Sequence, residues 1–245
     1  MEKITIVSVA RDFAMYGKCL AANPCVAGCR RVVIDNSSKN EPIPVLYNRF
    51  LEKYDYLEDS WFVFCHEDFE PQVDLRQVTR HLSHDAIWGP IGAKTIVRWC
   101  GWCTWVGVGH ITMANKDGTD ATRAGVMHSP QELVETLDCC CMMVHSSLVN
   151  RFGLRFDDKL SFDLYVEDFC IAAKELYGIA SMAVDFPCTH YSKAAPQKRY
   201  EVQHRYLNHK WKDVSYSSPC SWNIGGKFGP RMIVAALKEF ARRVM

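Results

Sequence analysis

The chain has 245 residues, with 29 Lys+Arg against 28 Asp+Glu, a formal net charge of +1 and 48% hydrophobic residues. It is long and apolar enough for a real core, and a soft prior of roughly 150 residues per domain allows one or two domains. The near-zero charge removes the electrostatic argument for a duplex nucleic-acid partner, and the longest apolar runs, Trp61 to Cys65 and Cys139 to Val144, fall far short of the ~20 residues that cross a bilayer.

Met1-Glu2-Lys3 leads straight into a β-rich run, Ile4 to Val9. No signal-peptide pattern precedes it, so the expected location is the cytoplasm. Phe13 to Ala22 has helical spacing, with Pro24 just beyond it. Arg31 to Ile34 is a second buried-strand run, closed by the turn cluster Asp35-Asn36-Ser37-Ser38. Pro44 to Tyr54 predicts a helix with Val45, Leu46, Phe50 and Leu51 on one side. A third strand, Trp61 to Cys65, runs into His66-Glu67-Asp68. Strand and helix alternate, which implies a parallel sheet with right-handed crossovers. Ligands of such sheets collect at the carboxyl ends of the strands. Arg11-Asp12, Asp35-Asn36 and His66-Glu67-Asp68 all stand there.

The middle of the chain changes texture. Ala86 to Gly92 suggests a short strand and turn, and Val97 to Ile111 is rich in Trp, Gly and β-branched residues. Lys116 to Ser129 is expected as an exposed loop, Gln131 to Leu137 as one or two helical turns, and Cys139 to His145 as a buried strand. Phe162 to Val166 is apolar. Glu167-Asp168 then opens a helix that runs to about Tyr177 and stops at Gly178. Acidic residues in a first turn also suit the helix dipole, so capping is the plain alternative for that pair. Ile179 to Phe186 is a further strand, followed by Cys188-Thr189-His190. A basic-aromatic stretch, Tyr200 to Trp211, and a helix over Arg231 to Arg242 complete the chain.

Twelve cysteines are many. With no export signal and a large apolar fraction, they are expected as reduced thiols filling a core. Trp99-Cys100-Gly101-Trp102-Cys103 resembles a dithiol redox motif. A helix should follow such a motif, and Thr104 to Gly109 is a poor helix. A zinc site from Cys25, Cys29, Cys100 and Cys103 is the other reading of these thiols.

Taken in order, the strand ends resemble a nucleotide-sugar glycosyltransferase of the GT-A type. The likeness is to glycosyltransferase family 2, and within it to the glycosyltransferase-like subgroup named for the StrF domain. The carriers run from Ile4–Ala10, Val32–Asn36, Tyr47-Asn48 and Phe62–Asp68 through Gly89–Ala93, Val108–Ile111 and Leu137-Asp138. They end with Leu154–Asp157, Phe162–Cys170 and Thr189–Ser192. The resemblance implies an α/β, Rossmann-like GT-A domain over 1–192, with a mostly parallel sheet flanked by helices. Residues 193–245 would be a C-terminal extension packed on the same domain.

The resemblance also implies roles. His66-Glu67-Asp68 stands where the family carries its DxD motif, with His66 in place of the first Asp. Asp68 would bind a divalent metal, Mn2+ or Mg2+, and His190 would complete its shell. Glu67 is a second candidate ligand. Asp168 would be the general base that deprotonates the acceptor, with Glu167 as the alternative. Asp35, Val9 and Arg11 would line the nucleobase pocket, and Asn48 would reach ribose or phosphate. Trp99, Trp102 and Trp105 would shape the acceptor side, and Lys198, Arg199 or Arg205 would meet phosphate. A metal suits this chemistry because a leaving diphosphate carries charge that a cation neutralises. The expected reaction is transfer from a nucleotide-diphosphate sugar to a hydroxyl acceptor, with inversion, in glycan or surface-polysaccharide synthesis. No nucleic-acid partner and at most a peripheral membrane association are expected. A catalytically silent nucleotide binder and a thiol-redox or zinc protein are the competing readings.

Overall fold

The computed structural model describes residues 2–97, 103–192, 198–220 and 223–226. The chain starts with β1 (Lys3–Ala10), then a short helix α1 (Phe13–Tyr16) that continues as a π-helical turn, Gly17–Ala21. Asp12 caps α1 by accepting the Met15 N–H. A single 3-10 turn, Pro24–Val26, leads to β2 (Arg30–Asp35). Helix α2 (Ile43–Lys53) buries Ile43, Leu46, Tyr47 and Leu51, a stripe at helical spacing. Then come β3 (Ser60–His66), β4 (Phe69–Pro71), α3 (Leu75–Thr79), β5 (Ala86–Gly89), β6 (Ile91–Val97), β7 (Cys103–Gly109), β8 (Ile111–Met113) and β9 (Thr122–Ala124). The second half holds β10 (Gln131–Val134), β11 (Thr136–Leu137), β12 (Cys141–His145), α4 (Ser146–Phe152), α5 (Tyr165–Tyr177), β13 (Ala180–Val184), β14 (Cys188–His190) and α6 (Lys198–Lys210).

Seven strands form the main sheet in the order β10-β13-β5-β12-β3-β1-β2. The β1–β2, β1–β3 and β5–β13 pairs are parallel, whereas β12 runs antiparallel to both β3 and β5, and β10 antiparallel to β13. The sheet is therefore mixed rather than mostly parallel. The βαβ rhythm of the first third does make parallel neighbours. It breaks at β5, after which the chain leaves the main sheet to build β6 to β9 and re-enters at β10 and β12.

Alternation along the central strands feeds two cores. Val7 and Val9, Phe62 and Phe64, and Met142 and Val144 face a core shared with α2, α4 and α5. Ile4 and Ile6, Trp61, Val63 and Cys65, and Cys141 and Met143 face the opposite core, shared with the π-turn and α3. The central sheet thus lies between two helical layers. The thiols of Cys19, Cys65, Cys140, Cys141 and Cys188 fill the second core, and those of Cys139 and Cys170 the first. All ten cysteines whose side chains are described are free thiols. Leu207 of α6 and Ile224 lie in the same core as α5.

Two local expectations fail. Gln131 to Leu137 forms strands rather than helical turns, because Glu132 and Leu133 pair with Ala183 and Met182 at the edge of the main sheet, while Thr136 pairs with Ala93. The Lys116–Ser129 segment is not all loop, since β9 adds to β8 there. The helix expected over Arg231–Arg242 lies outside the described residues.

Asn48 takes a role other than the ligand contact expected of it. It is buried on α2 and bound to the loop before α5. Its amide donates to the Phe156 carbonyl at 2.9 Å and to Asp158 Oδ1 at 2.6 Å, and its Oδ1 accepts the Phe156 N–H at 3.0 Å. Both amide protons are used, so Asn48 anchors that loop. Asn48→Ala should lower unfolding free energy by about 2–3 kcal/mol by orphaning buried backbone groups, read as a shifted urea midpoint with an unchanged slope.

Candidate functional site

Parallel register sets the strand ends side by side. Ala10 lies across from Asp35, and Val9 across from His66. The three polar clusters expected at one sheet edge do meet there. Beyond β3 the chain turns into β4, which pairs with β14 so that His190 lies opposite Phe69. The Tyr191 N–H donates to the Asp68 carbonyl at 3.0 Å. This small ladder brings His190 beside His66 from 124 positions away.

His66, Asp68 and His190 each offer a ligand atom, and these atoms lie within 4.8 Å of one another. His190 Nε2 is 3.2 Å from Asp68 Oδ1 and 3.4 Å from His66 Nδ1. The tautomer of His66 follows from its neighbour. The Tyr165 hydroxyl donates to the Cys139 carbonyl at 3.2 Å, so at 2.9 Å it accepts from His66 Nε2–H. The Nδ1 lone pair of His66 is thereby left facing His190. Burial, reinforced by His190, lowers the His66 pKa and keeps its ring neutral. Burial works against the Asp68 carboxylate, yet the hydrogen bond and charge of His190 hold its pKa at about 2. The His190 pKa is raised: burial opposes its charge, but Asp68 outweighs burial.

One polar atom of this cluster, His190 Nδ1, is buried without a hydrogen-bond partner. Buried polar atoms normally find one. An ionised carboxylate and a neutral imidazole converge here with His190, whose proton a cation would replace. The donor set therefore fits a divalent ion that accepts both nitrogen and oxygen, Mn2+ better than Mg2+. Asp138 and Cys140 form a second set with His190, also within 4.8 Å.

The cluster opens on a cavity of about 450 Å³. His66, His190, Asp138, Cys139, Leu164, Arg199 and Cys220 are among the residues that line it. Leu164 precedes α5 in the left-handed region at φ 60°, although it is not a glycine. Such strain is kept where the surroundings over-determine it, and here it starts the helix that carries Tyr165, Glu167 and Asp168. Arg199 pairs with Asp163 at 2.7 Å on the cavity rim.

Consecutive helix positions point about 100° apart, so Glu167 and Asp168 diverge. Asp168 faces α6. Its Oδ2 binds Lys210 Nζ at 2.8 Å and its Oδ1 accepts the Trp211 Nε1–H at 2.7 Å. Both oxygens are occupied and buried, which makes Asp168 an anchor for α6 rather than the general base expected of it. Glu167 faces the other way, under residues 218–220. It is fully buried and accepts from Ser218 Oγ and Cys139 Sγ, each at 3.1 Å. Burial first, and then the charge of Asp138, push its pKa up to about 7. Asp138 moves the opposite way. Burial pushes it up, but His190, the Cys140 N–H and the Cys220 thiol hold it below the usual range.

The other expected contacts do not gather around the cavity. Val9 is a core residue. The Arg11 side chain is exposed. Asp35 is exposed, with its Oδ1 held by the Ser37 N–H and hydroxyl. It lines a separate cleft of about 520 Å³ between β2 and α2, with Lys39 and Arg49. Glu67 is not free for a cation or ligand. Its two oxygens accept the Arg11 and Asp12 N–H groups at 2.6 and 3.0 Å, which pins the turn after β1 to the turn after β3. Among the tryptophans expected on the acceptor side, Trp105 donates to the Ser218 carbonyl at 2.8 Å. Trp99, Cys100 and Trp102 lie outside the described residues. A strand, not a helix, begins at Cys103.

Asp138, Tyr165 and Cys220 were not expected at the site. Asp138 stands between two short strands, which gives it the appearance of an ordinary turn residue. Tyr165 looks like core by its apolar neighbours, and only its hydroxyl reaches His66.

No family model matches this chain, and no curated protein matches it. Among solved structures, it is similar to the crystal structure of A197 from STIV. The two are 10% identical over 94% of this chain and 96% of that one, with a TM-score of 0.40. At that score the likeness carries no argument about fold or function. No helix among the described residues is long and apolar enough to cross a membrane.

Glu167 gives a pH test. Its folded pKa of about 7 lies above the ordinary carboxyl value, so the fold favours the neutral form. That stability is fully present below about pH 4.3 and is lost as pH rises through 7. Glu167→Gln stays neutral. It should match the parent at about pH 4 and be more stable at pH 8, by roughly 3–4 kcal/mol, in chemical denaturation at the two pH values.

Proposed function

We propose that this chain is a GT-A-type transferase that moves a sugar from a nucleotide-diphosphate donor to a hydroxyl acceptor, assisted by a divalent metal. The single observation that carries the reading is the His66–Asp68–His190 cluster, whose ligand atoms lie within 4.8 Å of one another and whose two histidines line the cavity. The ordered series of strand-end residues supports it. A cation held by Asp68, His66 and His190 would neutralise the charge that builds on the departing diphosphate.

The chain's own residues account for the rest. Tyr165 fixes the His66 ring through Nε2 and leaves Nδ1 available. Arg199 lines the cavity in an ion pair with Asp163, and would meet an anionic donor by exchanging that partner. Glu167 replaces Asp168 as the general base. Its raised pKa suits a group that must accept a proton near neutrality, and its neighbours Cys139 and Cys220 line the cavity. Proton transfer needs the carboxylate within hydrogen-bond reach of the acceptor hydroxyl. Ser218 must therefore give up its bond to Glu167 when acceptor enters.

That same bond favours a second reading. A segment that caps Glu167 and hydrogen-bonds Asp138 through Cys220 also suits a silent nucleotide-sugar binder.

The experiment is a donor panel of UDP-, GDP- and dTDP-sugars with Mn2+ or Mg2+, scored by nucleotide release and by thermal shift. Parent protein should release nucleotide from at least one donor. Asp68→Asn should lower kcat/KM by about 100-fold or more, the order expected when charge stabilisation at the reacting phosphate is lost. Donor binding without metal-dependent release across the panel would leave the silent binder standing. The pH profile separates the two carboxylates of α5. Rate should rise with pH through about 7 in the parent and lose that limb in Glu167→Gln. Asp168→Asn should keep the limb and lose stability.

A further inference from the structure

At the end of the sheet away from the cavity, three distant segments meet. Glu2 precedes β1, His84 precedes β5, and His145 ends β12 opposite Trp61 at the start of β3. His84 Nε2 lies 2.8 Å from Glu2 Oε1, and the other Glu2 oxygen accepts the Trp61 Nε1–H at 3.0 Å. The His84 and His145 rings stack at 3.7 Å, within 1° of parallel. Glu2 and His84 are nearly half exposed, at 45% and 43%, whereas His145 is only 2% exposed.

His145 is the informative residue. Its Nδ1 is 2.6 Å from Ser147 Oγ. Its Nε2 is buried and has no hydrogen-bond partner. The Ser147 N–H also approaches Nδ1, at 3.4 Å; the tautomer that a metal would select donates Nδ1–H to the hydroxyl, gives up that long cap contact and frees the Nε2 lone pair. One nitrogen of each histidine and one oxygen of Glu2 lie within 4.8 Å of one another.

We propose that Glu2, His84 and His145 form a second metal site, for a borderline transition-metal ion of the Zn2+ class, that ties three segments together at the base of the sheet. Two imidazoles and one carboxylate are a donor set for Zn2+ and its neighbours in the first row, and a poor one for Mg2+ or Ca2+. The outer partners are already in place. Ser147 holds the far nitrogen of His145, and the Trp61 indole holds the far oxygen of Glu2, as expected around metal-bound His and carboxylate. Parallel rings aim their lone pairs side by side, so one ring must turn for both to meet an ion. His84 is the exposed one and turns without disturbing the core. The open side leaves room for water to complete the shell. Asp59 and Glu2 place negative charge near His145, which favours a cation there.

The test uses the full chain without an affinity tag and Zn2+ as the probe, with His84→Gln and Glu2→Gln as variants. Both changes are at exposed side chains, so the fold is kept, whereas buried His145 is left alone. Calorimetry should find one Zn2+ equivalent more in the parent than in His84→Gln, and Glu2→Gln should weaken that equivalent by about tenfold or more. Zn2+ should raise the melting temperature of the parent more than that of His84→Gln, because binding only to the folded state stabilises it. Any Mn2+-dependent donor release should be the same in the parent and in His84→Gln. Equal equivalents and equal thermal shifts in the parent and His84→Gln would overturn the site, as would a parent that binds no Zn2+. The cavity cluster is intact in every protein compared, so its own success or failure does not enter the difference.

Discussion

The contact between Asp68 and His190 is the constraint on which the rest of the site depends. It exists because β14 returns antiparallel to β4, immediately after the turn that ends β3. That ladder sets a carboxylate, ionised down to a pKa of about 2, against a buried imidazole. The pair is held from both sides. Tyr165, at the start of α5, fixes His66, and β8 supports β14 from its far edge. A buried carboxylate is costly unless it is paired. The fold surrounds this one with two imidazoles and pairs its Oδ1 with His190 Nε2 at 3.2 Å.

The C-terminal segment completes the cavity and divides the carboxylates among different tasks. Lys210 and Trp211 occupy Asp168, and so fasten α6 to α5. Ser218 and Cys220 reach Glu167 and Asp138 instead. The environments of these last two push their pKa values apart, Glu167 upward by burial and Asp138 downward by its donors. Carboxylates separated in this way are where acid and base roles are sought. The same segment covers Glu167, which is fully buried and bonded to Ser218 and Cys139.

Much of the frame was legible in the chain. Continuous apolar strands followed by polar clusters located the sheet edge, and the parallel pairing of β1, β2 and β3 came from the βαβ rhythm. His66, Asp68 and His190 were picked out by the family resemblance, helped by their places after strands. The half-polar α5 and its Gly178 stop were also plain from residue types. Harder to see were the residues whose role depends on a distant partner. Asn48 looked like a ligand contact until the loop at Phe156 took both its amide protons. Glu67 looked like a second ligand until two backbone N–H groups claimed it. Gln131 to Leu137 has no alternation strong enough to mark an edge strand, so pairing with β13 and β6 decided it.

By itself, then, the near-neutral sequence of 245 residues determined a chain with a real core, alternating elements and a polar edge. It also determined thiols that fill the core, because hydrophobic periodicity and strand-end polarity are local properties of a chain. Tertiary structure alone decided that the sheet is mixed, and that Asp168 is taken up by Lys210 and Trp211 while Glu167 lies under residues 218–220. It alone brought Glu2, His84 and His145 to one point. The physical reason is the same each time. A side chain's chemistry depends on which donors, charges and solvent surround it, and here those neighbours come from strands and helices far away in the chain.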